Sequence, residues 1–416
     1  PKAEDKTYGK RGGFLPYVDF DALDWGVPPS IIEATDVTQL LALMVAKAAL
    51  EDMAGGDFSD VDRSKMSVIL GVTSAQKLLG HMTSRLQKPV WIKAMREFGL
   101  PEEEVQDIAK RITDHYVPWQ ESTFPGLLGN VVAGRIANRL DLGGTNCVTD
   151  AACASTFSAI SMAVNELLLG DSDTVLVGGA DAINDIFMHM CFSKTPALSM
   201  SGDIRPFSDK ADGTLLGEGV GIFALKRLKD AERDGNTIYA LLRGVGSSSD
   251  GRSKSVYAPV AEGQANAYRR AYQKADIDLG TIQLIEAHGT GTKAGDAAEF
   301  SGLNQVFSDS DARKQSIALG TVKAQIGHTK ATAGAAGLFK TIMAVQSGIY
   351  PPSIKIDAPN PKLNIKETPF YLNTESRPWF SNGSHPRRAG VSSFGFGGSN
   401  FHIAVGQVKN NPFLVK

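Results

Sequence analysis

Apolar runs of strand length recur along the chain, each followed by small residues and then by a longer stretch with apolar residues at helical spacing. SVILGVTS (67–74), TVLVGGAD (174–181) and GVGIFALKRL (219–228) form a first set of such runs. A second set begins in YALLRGVGSSSDG (239–251) and continues in IQLIEAHG (282–289) and IALG (317–320). The chain closes with GVSSFGFGGSNFHIAVG (390–406), which reads as two strands joined by glycines.

Between the runs the spacing predicts helices. One spans 33–53, with Leu40, Leu43, Met44, Ala48 and Leu50 on a buried face and Gly55 and Gly56 as its stop. The region 77–120 reads as helices with charged faces, an insertion expected to cover the site. A further helix spans 126–140 and carries Arg135 and Arg139. The stretch 146–171 reads as strand, small-residue turn and helix, with Phe157, Ile160, Leu167 and Leu168 at helical spacing and Gly170 as the stop. Residues 1–30, rich in Gly, Pro and aromatics, read as an ordered loop. Two series of strand–loop–helix units predict a duplicated α/β architecture with reactive groups at strand ends.

Composition narrows the picture modestly. With 416 residues the length suits two fused α/β halves, and 42% hydrophobic with 21% charged residues is ordinary for a globular protein. A net charge of −2 gives no electrostatic case for nucleic acid or an acidic membrane surface. Three cysteines, Cys147, Cys153 and Cys191, make no disulfide framework, so a reducing compartment such as the cytoplasm is expected. No run is expected to span a bilayer, and no signal peptide is expected.

Three side chains stand out at strand ends: Cys153 between Ala152 and Ala154, His288 before Gly289, and His328 after Gly327. A lone cysteine is usually a buried apolar residue, and a lone loop histidine is usually structural. An alanine-framed cysteine at a helix start together with two glycine-framed histidines reverses that balance. The helix start is expected to favour the reactive thiolate. Cys147 and Cys191 read as buried apolar residues, and His81, His115, His189, His385 and His402 as structural. GTGTKAG lacks the Gly-Lys-Ser/Thr spacing of a phosphate loop.

DAACASTFSA, EAHGTGTKAGDAAE, VKAQIGHTKATAGAAGL and SSFGFGGSNFH resemble the active-site motifs of β-ketoacyl synthases. RPFSDKADGTLLGEG and PNPKLNIKETPFYLNTESRPW match as well, so the resemblance covers nearly the whole chain. GDAAEF, DGRSKSVYAP and IGHTKATAG resemble the ketosynthase domain of polyunsaturated fatty acid synthases, with iterative polyketide synthases as the nearest rival. The resemblance implies a thiolase-like fold, two βαβαβ-type halves in five layers, αβαβα. It implies one ketosynthase domain over 1–416, with the nucleophile in 1–238 and both histidines in 239–416. It implies decarboxylative Claisen condensation of an acyl chain with malonyl units on an acyl carrier protein, a homodimer, and no metal or redox cofactor. Carried over residue by residue, Cys153 is the acyl acceptor on a phosphopantetheine thioester. His288 and His328 stabilise the enolate, and Lys323 holds the network with Glu299 as its charge partner. The backbone N–H groups of Cys153 and Phe396 form an oxyanion hole, Phe396 gates the pocket, and Thr290 and Thr292 contact the pantetheine arm.

Several positions depart from the family pattern. Ala154 follows the cysteine where Ser is common, Lys330 stands where Glu is common, and Ala297 stands where Pro is common. The family opens with a strand that is not recognised here; either that segment is missing from the sequence or the strand is supplied from elsewhere. The charged C-terminal end suggests an excised domain. Two rival readings are a non-catalytic partner subunit and a thiol hydrolase. The retained cysteine argues against the first, and the absence of an orienting Asp or Asn against the second.

Overall fold

The computed structural model describes residues 4–73, 77–252, 255–308, 310–380 and 383–408. The first series runs α1 (Val37–Ala54), β1 (Met66–Gly71), α2 (Lys77–Arg85), α3 (Lys88–Phe98), α4 (Glu102–Asp114), α5 (Thr123–Leu127), α6 (Val131–Leu140) and β2 (Asn146–Thr149). It continues with α7 (Ser155–Leu169), β3 (Thr174–Asp181), α8 (Ile186–Lys194), β4 (Gly219–Lys226) and α9 (Leu228–Arg233). The second series opens with β5 (Leu241–Ser249), α10 (Ala261–Ala275), β6 (Leu284–Glu286), α11 (Lys293–Phe307), β7 (Ile317–Gly320) and α12 (Lys323–Ile326). It closes with α13 (Ala333–Ser347), β8 (Ile349–Tyr350), β9 (Phe370–Leu372), β10 (Arg377–Pro378), β11 (Arg388–Gly395) and β12 (Ser399–Gly406).

Two sheets carry one plan. The first has the order β2-β1-β3-β4, the second β5-β12-β11-β6-β7-β9, so β2-β1-β3-β4 corresponds to β7-β6-β11-β12. The pairings agree, with two parallel contacts followed by an antiparallel one. Beyond β12 the second sheet continues into β5, whereas beyond β4 no strand follows among the described residues. All eight residues of β4 are only half-buried.

Side-chain alternation turns the sheets into layers. Val68, Leu70 and Leu176 point to one side of the first sheet, where they meet Leu43, Leu50, Ile136 and Leu140 of α1 and α6. Ile69, Val175 and Val177 point to the other side, where α7 and α13 bring Phe157, Ile160, Leu338 and Val345. The same central helices pack on Val391, Ile403 and Val405 of the second sheet. Its outer face packs on α10 and α11 through Tyr268, Tyr272, Leu303 and Phe307. The result is helix, sheet, helix, sheet, helix.

Local chemistry shifts several boundaries. Helix α1 begins at Val37 because the carboxylate of Asp36 accepts the N–H of Thr38. Its buried stripe is Leu40, Leu43, Ala46 and Leu50, and Ala48 is exposed. Strand β1 ends at Gly71, and Ser74 lies outside the described residues. The single helix expected over 126–140 is broken, because the carbonyl of Gly126 is held by Asp36 N and Gln39 Nε2. A side chain at Gly126 would meet the carbonyl oxygen of Ala34 at 1.7 Å. On α7 the buried stripe is Phe157, Ile160, Ala163 and Leu167, and Leu168 is 75% exposed. Cys191 is exposed rather than buried. One apolar run, Ala152–Leu169, does reach membrane-spanning length, with mean hydropathy 1.4. Its stripe packs between the two sheets, as expected of a core helix.

Candidate active site

Strand β2 leads into a tight turn, Ala152–Ala154, before α7 starts at Ser155. Ala152 sits in the left-handed region, with φ of 49°. Such a conformation costs an L residue about 1–2 kcal/mol and is tolerated where the surroundings enforce it. Here Asp150 Oδ1 accepts from Ala152 N at 2.8 Å, and Ser155 Oγ donates to Ala152 O at 2.6 Å. From the other half, Ser393 Oγ donates to the carbonyl of Cys153 at 2.7 Å. Gly395 lies so close that a Cβ there would be 2.1 Å from Ala151 O.

His288 follows β6. Its N–H and that of Gly289 donate to the two oxygens of Glu299, each at 2.7 Å. Gly289 and Gly291 hold φ of 43° and 74°, which the loop needs to turn back onto α11. Asp296 closes the loop by accepting from Gly291 N at 3.0 Å and Phe207 N at 2.7 Å. His328 follows α12. Its N–H donates to Leu215 O at 2.7 Å, and its carbonyl accepts from Gly217 N at 2.9 Å.

The two imidazoles meet edge to face with centroids 5.4 Å apart. Each Nδ1 is occupied as an acceptor, His288 by Phe394 N at 3.3 Å and His328 by Lys330 N at 3.2 Å. An N–H pointing at Nδ1 leaves the ring proton on Nε2. Burial, followed by the Lys323 ammonium, holds both rings well below the usual histidine range. Both are therefore neutral Nε2–H donors.

A cavity of about 350 Å³ is lined by Cys153, His288, His328 and Glu299, with Thr290 and Thr292 also on its wall. Thr292 is the N-cap of α11, and its Oγ1 lies 2.9 Å from Thr290 Oγ1. Phe396 is 48% exposed and stacks on Phe192, centroids 6.2 Å apart. No residue of the 77–120 helices lines this cavity, so that region does not cover the site.

Two electrostatic expectations are corrected. Burial pushes the Cys153 thiol up to about 11, and the opposing pull of Lys323 does not offset it. Cys153 is itself buried, so desolvation outweighs the helix start. Lys323 and Glu299 form no ion pair. Among the described residues no carboxylate lies within 4 Å of Lys323, and its strongest attraction is to Glu286. Glu299 spends its oxygens on the His288 loop, and burial raises its carboxyl to about 7, as it does that of Asp296.

Phe192, Thr214, Gln264 and Asn400 also line the cavity, although the sequence does not single them out. Thr214 and Asn400 lie within the matching motifs RPFSDKADGTLLGEG and SSFGFGGSNFH, whereas Phe192 and Gln264 lie outside any motif. The segments around Phe192 and Gln264 carry residue types common on any helix. Thr214 Oγ1 and Gln264 Oε1 are buried without a hydrogen-bond partner among the described residues.

Residues 1–231 match the family model for the β-ketoacyl synthase N-terminal domain, and residues 239–357 that for the C-terminal domain. Over 407 residues the chain is 42% identical to a polyunsaturated fatty acid synthase polypeptide of Thraustochytrium sp., covering 97% of this chain and 14% of that protein. It is 35% identical to a phenolphthiocerol/phthiocerol polyketide synthase polypeptide of Mycobacterium tuberculosis, covering 98% of this chain and 21% of the relative. The chain thus spans well under a quarter of the length of these two relatives. Among solved structures, the ketosynthase from module 6 of the Bacillus subtilis bacillaene synthase superposes with a TM-score of 0.79 at 31% identity, covering 94% of this chain and 63% of that one. An oxazolomycin ketosynthase domain from Streptomyces albus gives 0.83 at 28% identity, covering 98% and 66%. The fold is thiolase-like.

Proposed function

Because the chain belongs to the β-ketoacyl synthase family, we propose that it catalyses decarboxylative Claisen condensation on carrier-bound thioesters. The observation that carries this reading is one cavity shared by a thiol and two neutral imidazoles, both presenting Nε2–H. In the first half-reaction the Cys153 sulfur attacks an acyl thioester, expels the pantetheine thiol and forms the acyl-enzyme. The N–H groups of Cys153 and Phe396 stabilise the tetrahedral oxyanion in this step. In the second, a malonyl thioester on an acyl carrier protein loses carbon dioxide. The electron pair left behind becomes an enolate, whose oxygen charge is met by His288 and His328. The enolate carbon attacks the acyl-enzyme and releases the Cys153 thiolate, which is reprotonated. The product is a β-ketoacyl carrier protein.

Thr290 and Thr292 serve the amide-bearing arm, and Phe396 with Phe192 gates the acyl branch. The domain works as a homodimer within the cytoplasm and needs no resident cofactor. Kinship to a polyunsaturated fatty acid synthase favours long-chain acyl substrates over a polyketide series.

Separate measurement of labelled acyl transfer and of carbon dioxide release tests the roles. His288→Ala and His328→Ala are expected to load Cys153 but to lose decarboxylation by on the order of a hundredfold to a thousandfold each. Cys153→Ala is expected to accept no acyl group. A histidine variant that decarboxylates normally yet cannot be loaded would overturn the assignment for that ring.

A further inference from the structure

Behind His328, away from the cavity, lies a buried ion pair that the chemistry above does not use. Lys330 is 3% exposed, and its Nζ stands 2.9 Å from Asp181 Oδ1 at the end of β3. The same ammonium donates to Gly217 O at 2.8 Å. Gly217 in turn donates its own N–H to the carbonyl of His328. The backbone N–H of Lys330 is the group that occupies His328 Nδ1. Lys330 holds φ of 52°, a conformation that a lysine keeps only when something fixes it. The other Asp181 oxygen accepts from Ala331 N and from Thr73 Oγ1, both at 3.4 Å. One residue on, Ala331 O accepts from Thr156 Oγ1 of α7 at 2.7 Å. The pair therefore ties the nucleophile-bearing half to the histidine loop of the other half at one buried point.

We infer that Lys330, locked by Asp181, is a positioning residue that keeps His328 as a neutral Nε2–H donor for malonyl decarboxylation. The inference rests on the role given to His328 above. Without the lock, the left-handed turn at 330 loses its reason to hold, and the N–H that occupies Nδ1 drifts. Protonation at Nδ1 would set two N–H groups against each other, so the locked backbone also opposes the imidazolium. The titratable and charged groups around the ring come from several elements. Lys323 and Lys330 flank it in sequence, and His288 faces it from the loop after β6. Cys153 and Glu299 share its cavity, and Asp181 lies behind Lys330. Glu218, next to Gly217, is turned away, its carboxylate accepting from Leu15 N and Asn184 N. Removing Lys330 deletes one of the two cations that disfavour protonation of the ring and leaves Asp181 without its counter-ion. The acid limb of decarboxylation should then move to higher pH. At Cys153 the pair's two charges act in opposite directions, so loading should change little when both are removed together.

The test uses Lys330→Gly, which suits the left-handed turn but lacks the ammonium, Lys330→Arg, and the double variant Lys330→Met/Asp181→Leu. The double variant removes both charges and so leaves no unpaired buried ion if the single variant fails to fold. Decarboxylation kcat is expected to fall by about tenfold to a hundredfold in the glycine and double variants. Their acid limbs should shift upward; acyl loading should stay within about twofold of wild type in the double variant, where both opposing charges at Cys153 are gone, and should slow in the glycine variant, where Asp181 remains. Arginine should restore most of the rate. Nitrogen-15 NMR of labelled histidine reads the His328 tautomer without substrate. Wild type should remain Nε2–H between about pH 5 and 8, and in the glycine variant the onset of Nδ1 protonation should move to higher pH. Unchanged tautomer and pH profile in a folded double variant would overturn the inference. A wild type with the expected tautomer but no decarboxylase activity would overturn the proposed function and leave the positioning role standing.

Discussion

Ionisation of Cys153 gives the sharpest quantitative expectation. Raising the thiol from its ordinary 9.0 to about 11 lowers the thiolate population at neutral pH by about a hundredfold, or about 2.7 kcal/mol. A helix start returns only about 0.3–1 kcal/mol, too little to reverse this. Neither histidine can act as a resting base, since each Nδ1 is already an acceptor and each Nε2 already carries a proton. Acylation should therefore track free thiolate. The assay is alkylation by iodoacetamide across pH 6–11, followed by peptide mass spectrometry at Cys153, because Cys191 is exposed and reacts as well. The Cys153 rate should climb about tenfold per pH unit without a plateau before about pH 10. Lys323→Met should slow it further at any fixed pH, because Lys323 is the largest influence lowering that thiol. A plateau near pH 8 would refute the dominance of burial and restore the helix-start thiolate.

Two further outcomes follow from the packing. Gly395→Ala should abolish acyl loading or soluble expression, because its Cβ would fall 2.1 Å from the backbone oxygen of Ala151, which cannot swing away like a side chain; a folded variant that loads normally would contradict this. Glu299 carries a carboxyl raised by burial, so the stability tied to its protonated form is present at acid pH and is lost as pH rises through about 7. Denaturant unfolding between pH 5 and 8 should show that decline, and Glu299→Gln should reduce its slope, leaving the part due to Asp296.

The strands and the three reactive groups were legible because both depend on local pattern. TVLVGGAD is bounded by the same residues in sequence and in structure, since a strand buried on both faces is an unbroken apolar run ended by a charge. The motifs around Cys153, His288 and His328 place all three in one cavity. What failed was what depends on distant partners. Nothing in 126–140 announces that Gln39, 87 residues before Gly126, holds the chain there and splits the helix. Glu299 looks like a partner for Lys323 by charge alone. Only the fold shows that the loop after β6 turns its N–H groups onto that carboxylate first. The ionisation of Cys153 was misjudged for the same reason, because burial is a property of the assembled halves.

Desolvation gives the site its logic. It raises the thiol and the two acids, Asp296 and Glu299, and it lowers both histidines and Lys323. Each shift favours the neutral form of its group, so the resting cavity carries little mobile charge. In the proposed reaction, stabilisation of an enolate would then depend on fixed N–H dipoles rather than on an imidazolium whose population varies with pH. Donors of that kind keep their strength only while their rings are held in one tautomer. Backbone amides do this at both histidines, Phe394 in one case and Lys330 in the other. Phe394 lies in a long strand of the central part of its sheet and is held by the ladder itself. Lys330 lies in a turn with no ladder to hold it, and there a buried ion pair to Asp181 takes the place of the sheet.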